Sequence, residues 1–310
     1  MLKWLLFEQP TPSYTKWSRE MFIFWIVAYF KKAIHESLLL MIANTPVFGK
    51  PVHGTIAVVK YEKQRLIMAA DSRHNFGDGA GSYSSDTACK IVALGEHAAF
   101  VSSGFVGYDN AGPQDQIATW RAIDDARSYF AQIVEKRGKW KDEYLEELAM
   151  SIGSSLVTRL TELARYAPVT VQRAAVGNLL TTALLATSRG KNITVVVVQV
   201  GVDEHQRVQL IPPRRITPEV CPPCALGRGE VVTELLGLNT ERARGEMDRL
   251  QRELAEIPDA EREIRRITRL VELSIAWLPD DAGVGGPVDV LELRAGKRVR
   301  WIQRKPQCPL

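Results

Sequence analysis

His53–Arg73 reads HGTIAVVKYEKQRLIMAADSR. Within it, Thr55–Tyr61 (TIAVVKY) is apolar and β-branched, the pattern of a buried strand. Glu62-Lys63-Gln64-Arg65 is a polar turn, and Leu66–Ala70 (LIMAA) is a second strand that ends at Asp71-Ser72-Arg73. The pair predicts a hairpin. A glycine-rich loop follows with Gly77, Gly79 and Gly81. Lys90-Ile91-Val92-Ala93-Leu94 predicts a third strand, and His97–Ser103 (HAAFVSS) a fourth that stops at Gly104.

Working outward, the period of the apolar residues changes. Ala111–Arg137 has helical spacing at Ile117, Trp120, Ile123, Tyr129, Phe130 and Ile133. Tyr144–Tyr166 places Leu145, Leu148, Ile152, Leu156, Leu160 and Leu163 on one helical stripe. Thr181–Thr187 and Ile193–Val202 are strongly β, and Arg207–Ile211 is a further short strand. Gly229–Leu238 begins another helix, and Glu241–Leu278 is mainly helical with an interruption at Pro258. Val288–Leu293 and Arg298–Gln303 predict a closing hairpin across Arg294-Ala295-Gly296. Segregated runs of strands and helices predict an α+β protein.

Four linked motifs carry a resemblance: HGTIAVVKY, LIMAADSR, CKIVALG and AAFVSSG. In order and spacing they resemble the proteasome β-type and bacterial heat-shock-locus peptidases, which are N-terminal-nucleophile hydrolases. The glycine loop is about three residues longer here. The resemblance covers roughly residues 53–303 and implies a four-layer αββα sandwich of two antiparallel sheets flanked by helices. It divides the chain into an extension at 1–53, a hydrolase-like domain at 54–303 and a tail at 304–310. The charged stretch at 241–278 is longer than the family's and reads as a solvated face, with a partner surface as the alternative.

The resemblance also implies a chemistry. The family's nucleophile is the hydroxyl of an N-terminal threonine, and the threonine's own α-amine, which titrates near neutrality, serves as base. Thr55 matches that residue, with self-processing between Gly54 and Thr55. Lys90 matches the lysine that lowers the proton affinity of amine and hydroxyl. Asp71 matches the aspartate that orients the lysine, and Arg73 completes D-x-R. Gly104 matches the oxyanion-hole glycine. Asp281 matches the aspartate of a D-x-x-S-G-G motif. Counting back from Asp71 puts Thr55 at the nucleophile; counting back from Lys60 puts Gly54 there.

Two positions depart from the family pattern. Arg228 stands for a serine between Gly227 and Gly229, and Val284 for the serine of Asp281-Ala282-Gly283-Val284-Gly285-Gly286. A threonine-type peptidase or amide hydrolase is therefore one expectation. A catalytically inactive proteasome-like subunit, serving as an assembly or binding module, is the alternative. The first implies a peptide or protein substrate and a homo-oligomeric ring, with an ATPase partner left open. The mechanism calls for no cofactor and no metal.

The remaining features bound these readings. The chain has 310 residues, 45% of them hydrophobic and 25% charged, which excludes a disordered or polytopic membrane protein. Its 40 Lys+Arg against 36 Asp+Glu are spread along the sequence, so no nucleic-acid partner is expected. The runs Met21–Phe30 and Ser37–Ala43 are each too short to span a bilayer, which takes roughly 20 apolar residues. They leave three readings open: a pro-segment, an export signal or anchor through residues 21–43, or a docked amphipathic helix. Cytoplasm is the location the resemblance implies. Cys89 and Cys308 stand alone in sequence. Cys221 and Cys224 form C-P-P-C in a proline-rich stretch, which reads as a loop pair, then as a disulfide, and least as a metal or redox motif.

Overall fold

The computed structural model describes residues 55–76, 83–108, 119–175, 177–221, 223–279 and 282–308. The N-terminal extension, the glycine loop and Asp281 lie outside the described residues. The strands are β1 (Ile56–Glu62), β2 (Arg65–Ala70), β3 (His74–Phe76), β4 (Tyr83–Ser85), β5 (Ile91–Leu94), β6 (Ala98–Gly104), β7 (Gly107–Tyr108) and β8 (Trp120–Arg121). Three helices follow, α1 (Ala122–Arg137), α2 (Leu145–Tyr166) and α3 (Pro168–Ala174), then β9 (Leu179–Thr187), β10 (Thr194–Val202), β11 (Val208–Ile216) and β12 (Cys224–Gly227). The chain continues through α4 (Glu230–Gly237), α5 (Glu241–Ala255) and α6 (Asp259–Trp277) to β13 (Asp289–Arg294) and β14 (Arg300–Gln303). This is an α+β protein.

Two antiparallel sheets dominate it. One runs β12-β1-β2-β13-β14 and the other β11-β10-β9-β6-β5. Their alternation explains why the strands read as unbroken apolar runs. In β1, Ala57, Val59 and Tyr61 join a core that also holds Ile91, Ala99, Val101, Leu184 and Val195 of the other sheet. Ile56 and Val58 point the opposite way, into a core shared with Val231, Leu235, Ile267, Leu270 and Val271 of α4 and α6. Successive side chains of a strand face opposite sides, so a strand covered on both faces must be apolar at every position. The second sheet does the same, and Phe100, Leu185 and Val198 pack with Leu148, Ile152 and Leu156 of α2.

The helical stripes follow their periods. Leu145, Leu148, Ile152, Leu156, Leu160 and Leu163 are all buried in α2. The interruption at Pro258 separates α5 from α6, as a proline after a helix should. Thr240 caps α5, its hydroxyl accepting the Ala243 N–H at 3.1 Å.

Five expectations are corrected. The helix expected over Ala111–Arg137 begins at Ala122 in the described residues. Trp120 and Arg121 pair instead with Tyr108 and Gly107, and the Ala122 N–H donates to Val106 O at 2.9 Å. The short strand at Arg207–Ile211 extends to Ile216 through Pro212-Pro213. It lies at a sheet edge and shifts register there, where prolines forfeit little of the ladder. The C-P-P-C pair is a disulfide rather than a free loop pair, and Cys224 opens β12 opposite Val59. Cys89 and Cys308, solitary in sequence, are bonded across a separation of 219 residues. The segment beyond residue 303, expected as a tail, is held down by this bond, with Lys305 and Cys308 buried.

One polar cluster braces the first sheet. Glu292 on β13 is 1% exposed, and its carboxylate meets Arg65 at 2.7 Å, Arg300 at 2.8 Å and Arg294 at 3.0 Å. Burial raises its proton affinity, but the guanidiniums outweigh that and hold its pKa below the usual value. Glu292→Ala should therefore destabilise the fold by about 1–2 kcal/mol, because Arg65 loses its buried partner while the half-exposed Arg294 and Arg300 rehydrate. Since the folded pKa is depressed, the Glu292 contribution is complete above the unfolded carboxyl pKa. It is lost as pH falls through the folded value. Urea melts of parent and variant at pH 7 and under acid check both: the gap should be widest at pH 7.

Candidate active site

The hairpin β1–β2 ends in the residues that matter most. At the exit of β2 the chain leaves the ladder at Asp71, whose N–H still donates to Ile56 O at 3.1 Å. The Asp71 side chain is fully buried. Its Oδ1 accepts from Lys90 Nζ at 2.7 Å and from the Ile56 N–H at 3.0 Å. Its Oδ2 accepts from the N–H groups of Gly285 at 3.0 Å and Arg73 at 3.2 Å. The ammonium and three backbone donors thus surround one carboxylate, which is what a buried charge requires.

Lys90 precedes β5 and is 1% exposed. Burial pushes its pKa down, and the neighbouring Asp71 carboxylate opposes that push. The net direction is downward, so this ammonium gives up its proton more readily than an ordinary lysine.

Thr55 is 3% exposed and adjoins the pair through the chain, because the next residue donates to Asp71. Its carbonyl accepts the Arg228 N–H at 2.9 Å. Gly227, at φ +79°, lets this crossing close. A Cβ on Gly227 would stand 2.1 Å from both Thr55 O and Ser103 Oγ. Ser103 at the end of β6 is therefore a neighbour of Thr55. The hydroxyls of Ser102 and Ser103 are buried and have no hydrogen-bond partner among the described residues. Gly104 closes the strand at φ +88°, where a Cβ would meet Leu180 O at 2.3 Å.

A cavity of about 390 Å³ opens beside Lys90 and Ser102, with Thr87, Arg121, Asp124 and Gln307 on its walls. Thr55 is not among its lining residues.

Of the site residues expected from sequence, Asp71 and Lys90 are paired, and Thr55 adjoins them through the next residue, Ile56. Gly104 ends the strand that carries Ser102 and Ser103. Asp281 lies outside the described residues. The Arg73 guanidinium grips Asp86 through Nε at 2.8 Å and Nη2 at 3.1 Å. That hydrogen bond pulls the Asp86 pKa down. The two departing positions contribute backbone rather than side chain. Arg228 turns its guanidinium to Glu230 at 2.6 Å, and Val284 is buried in the apolar core under the first sheet.

Sequence reasoning missed Ser103, Asp86 and a second buried ion pair, Lys305–Asp289. Ser102-Ser103-Gly104 was a visible signal for the first. The others carry none, since their partners are distant or in the presumed tail. No protein-family model matches this sequence, and no curated protein matches it either.

Gly227→Ala tests the close approach directly. The methyl would press on Thr55 O and Ser103 Oγ at a position that already requires a positive φ. The expected result is a loss of at least 2 kcal/mol in a urea melt. Gly245→Ala, in a helix with open space around it, should be neutral or slightly stabilising.

Proposed function

We propose that this chain is a proteasome-like threonine-type peptidase or amide hydrolase, self-processed between Gly54 and Thr55. The observation that carries the reading is the Asp71 carboxylate, which accepts both Lys90 Nζ and the N–H of the residue after Thr55. That arrangement tethers a buried cation to Ile56, the residue after Thr55, at which a processed chain would begin. The three stacked cores, helices against sheet, sheet against sheet and sheet against helices, support a four-layer αββα sandwich of the N-terminal-nucleophile type.

In this reading the Thr55 hydroxyl attacks a substrate carbonyl while the freed Thr55 α-amine takes its proton. An oxyanion forms and collapses to an ester as the amine product leaves with that proton. Water then hydrolyses the ester and regenerates the threonine. In this reading the charge of Lys90, held by Asp71 next to the start of β1, favours the deprotonated amine and the developing alkoxide. The Gly104 N–H is the proposed oxyanion donor.

The competing reading, an inactive assembly or binding module, draws on Val284 and Arg228. The first is buried without a hydroxyl, and the second spends its side chain on Glu230. As to location, no helix among the described residues is long and apolar enough to cross a membrane. The two disulfides favour an oxidising compartment, and hence the exported alternative over the cytoplasmic one.

Intact mass and N-terminal sequencing of the full-length gene product separate these readings. A chain beginning at Thr55 is expected, with Thr55→Ala and Lys90→Ala both left uncut. Cleavage at the same bond in both variants, or a wild-type chain that keeps Gly54 attached, would sink the hydrolase proposal.

A further inference from the structure

The second buried pair lies at the same sheet end as the first. Asp289 opens β13 opposite Ala70, so its carboxylate emerges at the same end of the sheet as Asp71. It is fully buried. Lys305 wraps it from both sides: the backbone N–H donates to Asp289 Oδ1 at 3.0 Å, and Nζ donates to Oδ2. The same Nζ also donates to Ser72 Oγ, and that hydroxyl donates to Pro287 O. Ser72 follows Asp71 immediately. Its N–H donates to Gly285 O at 2.9 Å, and its carbonyl accepts the Ala88 N–H at 3.0 Å. The exit of β2 is therefore gripped at Asp71 by Lys90 and at Ser72 by Lys305.

The covalent frame points the same way. Cys89 is the residue before Lys90, and Cys308 lies three residues after Lys305. Their disulfide joins the two lysine-bearing segments. The tail turn is closed by the Cys308 N–H donating to Lys305 O at 3.1 Å, and Gln307 reaches the cavity wall. A bond bridging 219 residues restricts the unfolded chain strongly, yet the atoms it fixes in the folded state are those around the two ammoniums.

We propose that Lys305 is a positioning residue for the candidate site. Delivered by the Cys89–Cys308 bond, it holds the Asp71-Ser72 exit in place and sets the charge environment of Lys90. This rests on the reading of Lys90 as the cation of that site. Asp71 and Asp86 act on the Lys90 ammonium as attractive charges, and Lys305 acts as a repulsive one. Asp86 is itself paired with Arg73, and Arg121, Asp124 and Arg127 line the same cavity as Lys90. A second cation in this buried ground discourages Lys90 from holding its proton, so Lys305 tunes the charge that Lys90 presents.

The test needs no substrate. Titration of Lys90 Nζ by lysine-selective ¹⁵N NMR on the full-length oxidised chain reads the proton directly, with the signal assigned by its loss in Lys90→Met. In Lys305→Met the midpoint should move to higher pH, and in Lys305→Arg it should stay near the parent value. Lys305→Met strands a buried carboxylate, so Lys305→Met/Asp289→Asn is the decisive variant, and its midpoint should rise too. An unchanged midpoint in the double variant, whatever the single does, would overturn the proposal, because any shift would then belong to the stranded Asp289. A midpoint in Lys305→Arg that rises as far as in Lys305→Met would also overturn it. If the processed chain hydrolyses a peptide, the acid limb of its pH profile should move in the same direction. A chain without hydrolase activity leaves the titration test standing, so the two failures are distinguishable.

Discussion

The Asp71 carboxylate is the point on which the rest of this structure depends. It is fully buried, and an isolated ion there would cost several kcal/mol in lost hydration. The cost is tolerable only because four donors converge on it: Lys90 Nζ and the N–H groups of Ile56, Arg73 and Gly285. These come from β1, from the exit of β2, from the segment before β5 and from the loop before β13. All four must be in register at once. The carboxylate therefore ties the hairpin to both sheets, and any local shift would leave a buried charge short of a partner.

This constraint explains features that look unrelated. Gly227 must lack a side chain because β12 crosses over Thr55 and Ser103 at close range. Gly285 must offer both its N–H and its carbonyl, and Arg73 packs so tightly on it that a Cβ there would stand 2.4 Å from the guanidinium carbon. Arg73 in turn is held by Asp86. The second pair, Lys305 with Asp289, repeats the arrangement one residue further along. Buried ion pairs are poor sources of stability compared with apolar packing, and two of them meet at this sheet end.

The apolar framework was largely legible. The two-residue period of β1 and β2, hidden because both faces are covered, still showed as continuous β-branched runs. The Leu145–Leu163 stripe of α2 and the break at Pro258 followed from helical spacing. Thr55, Asp71 and Lys90 were singled out only through the resemblance of their motifs to a known family. Trp120-Arg121 was misread because its apolar residues fit a helical period, while its backbone bonds were claimed by a strand. The extension of β11 through Pro212-Pro213 was missed because prolines argue against strands except at an edge, and edges are not visible in a sequence.

The sequence by itself determined the alternation of strands and helices, the α+β class and the residue types at the end of the hairpin. Those depend on local periodicity and on neighbours a few residues away. Tertiary structure alone decided that Cys89 meets Cys308, that Lys305 reaches Asp289 and Ser72, and that Arg73 turns to Asp86. It also decided that Ser103 stands against Thr55. Each of these joins residues whose separation along the chain carries no period, so only the packing of one sheet end could bring them together.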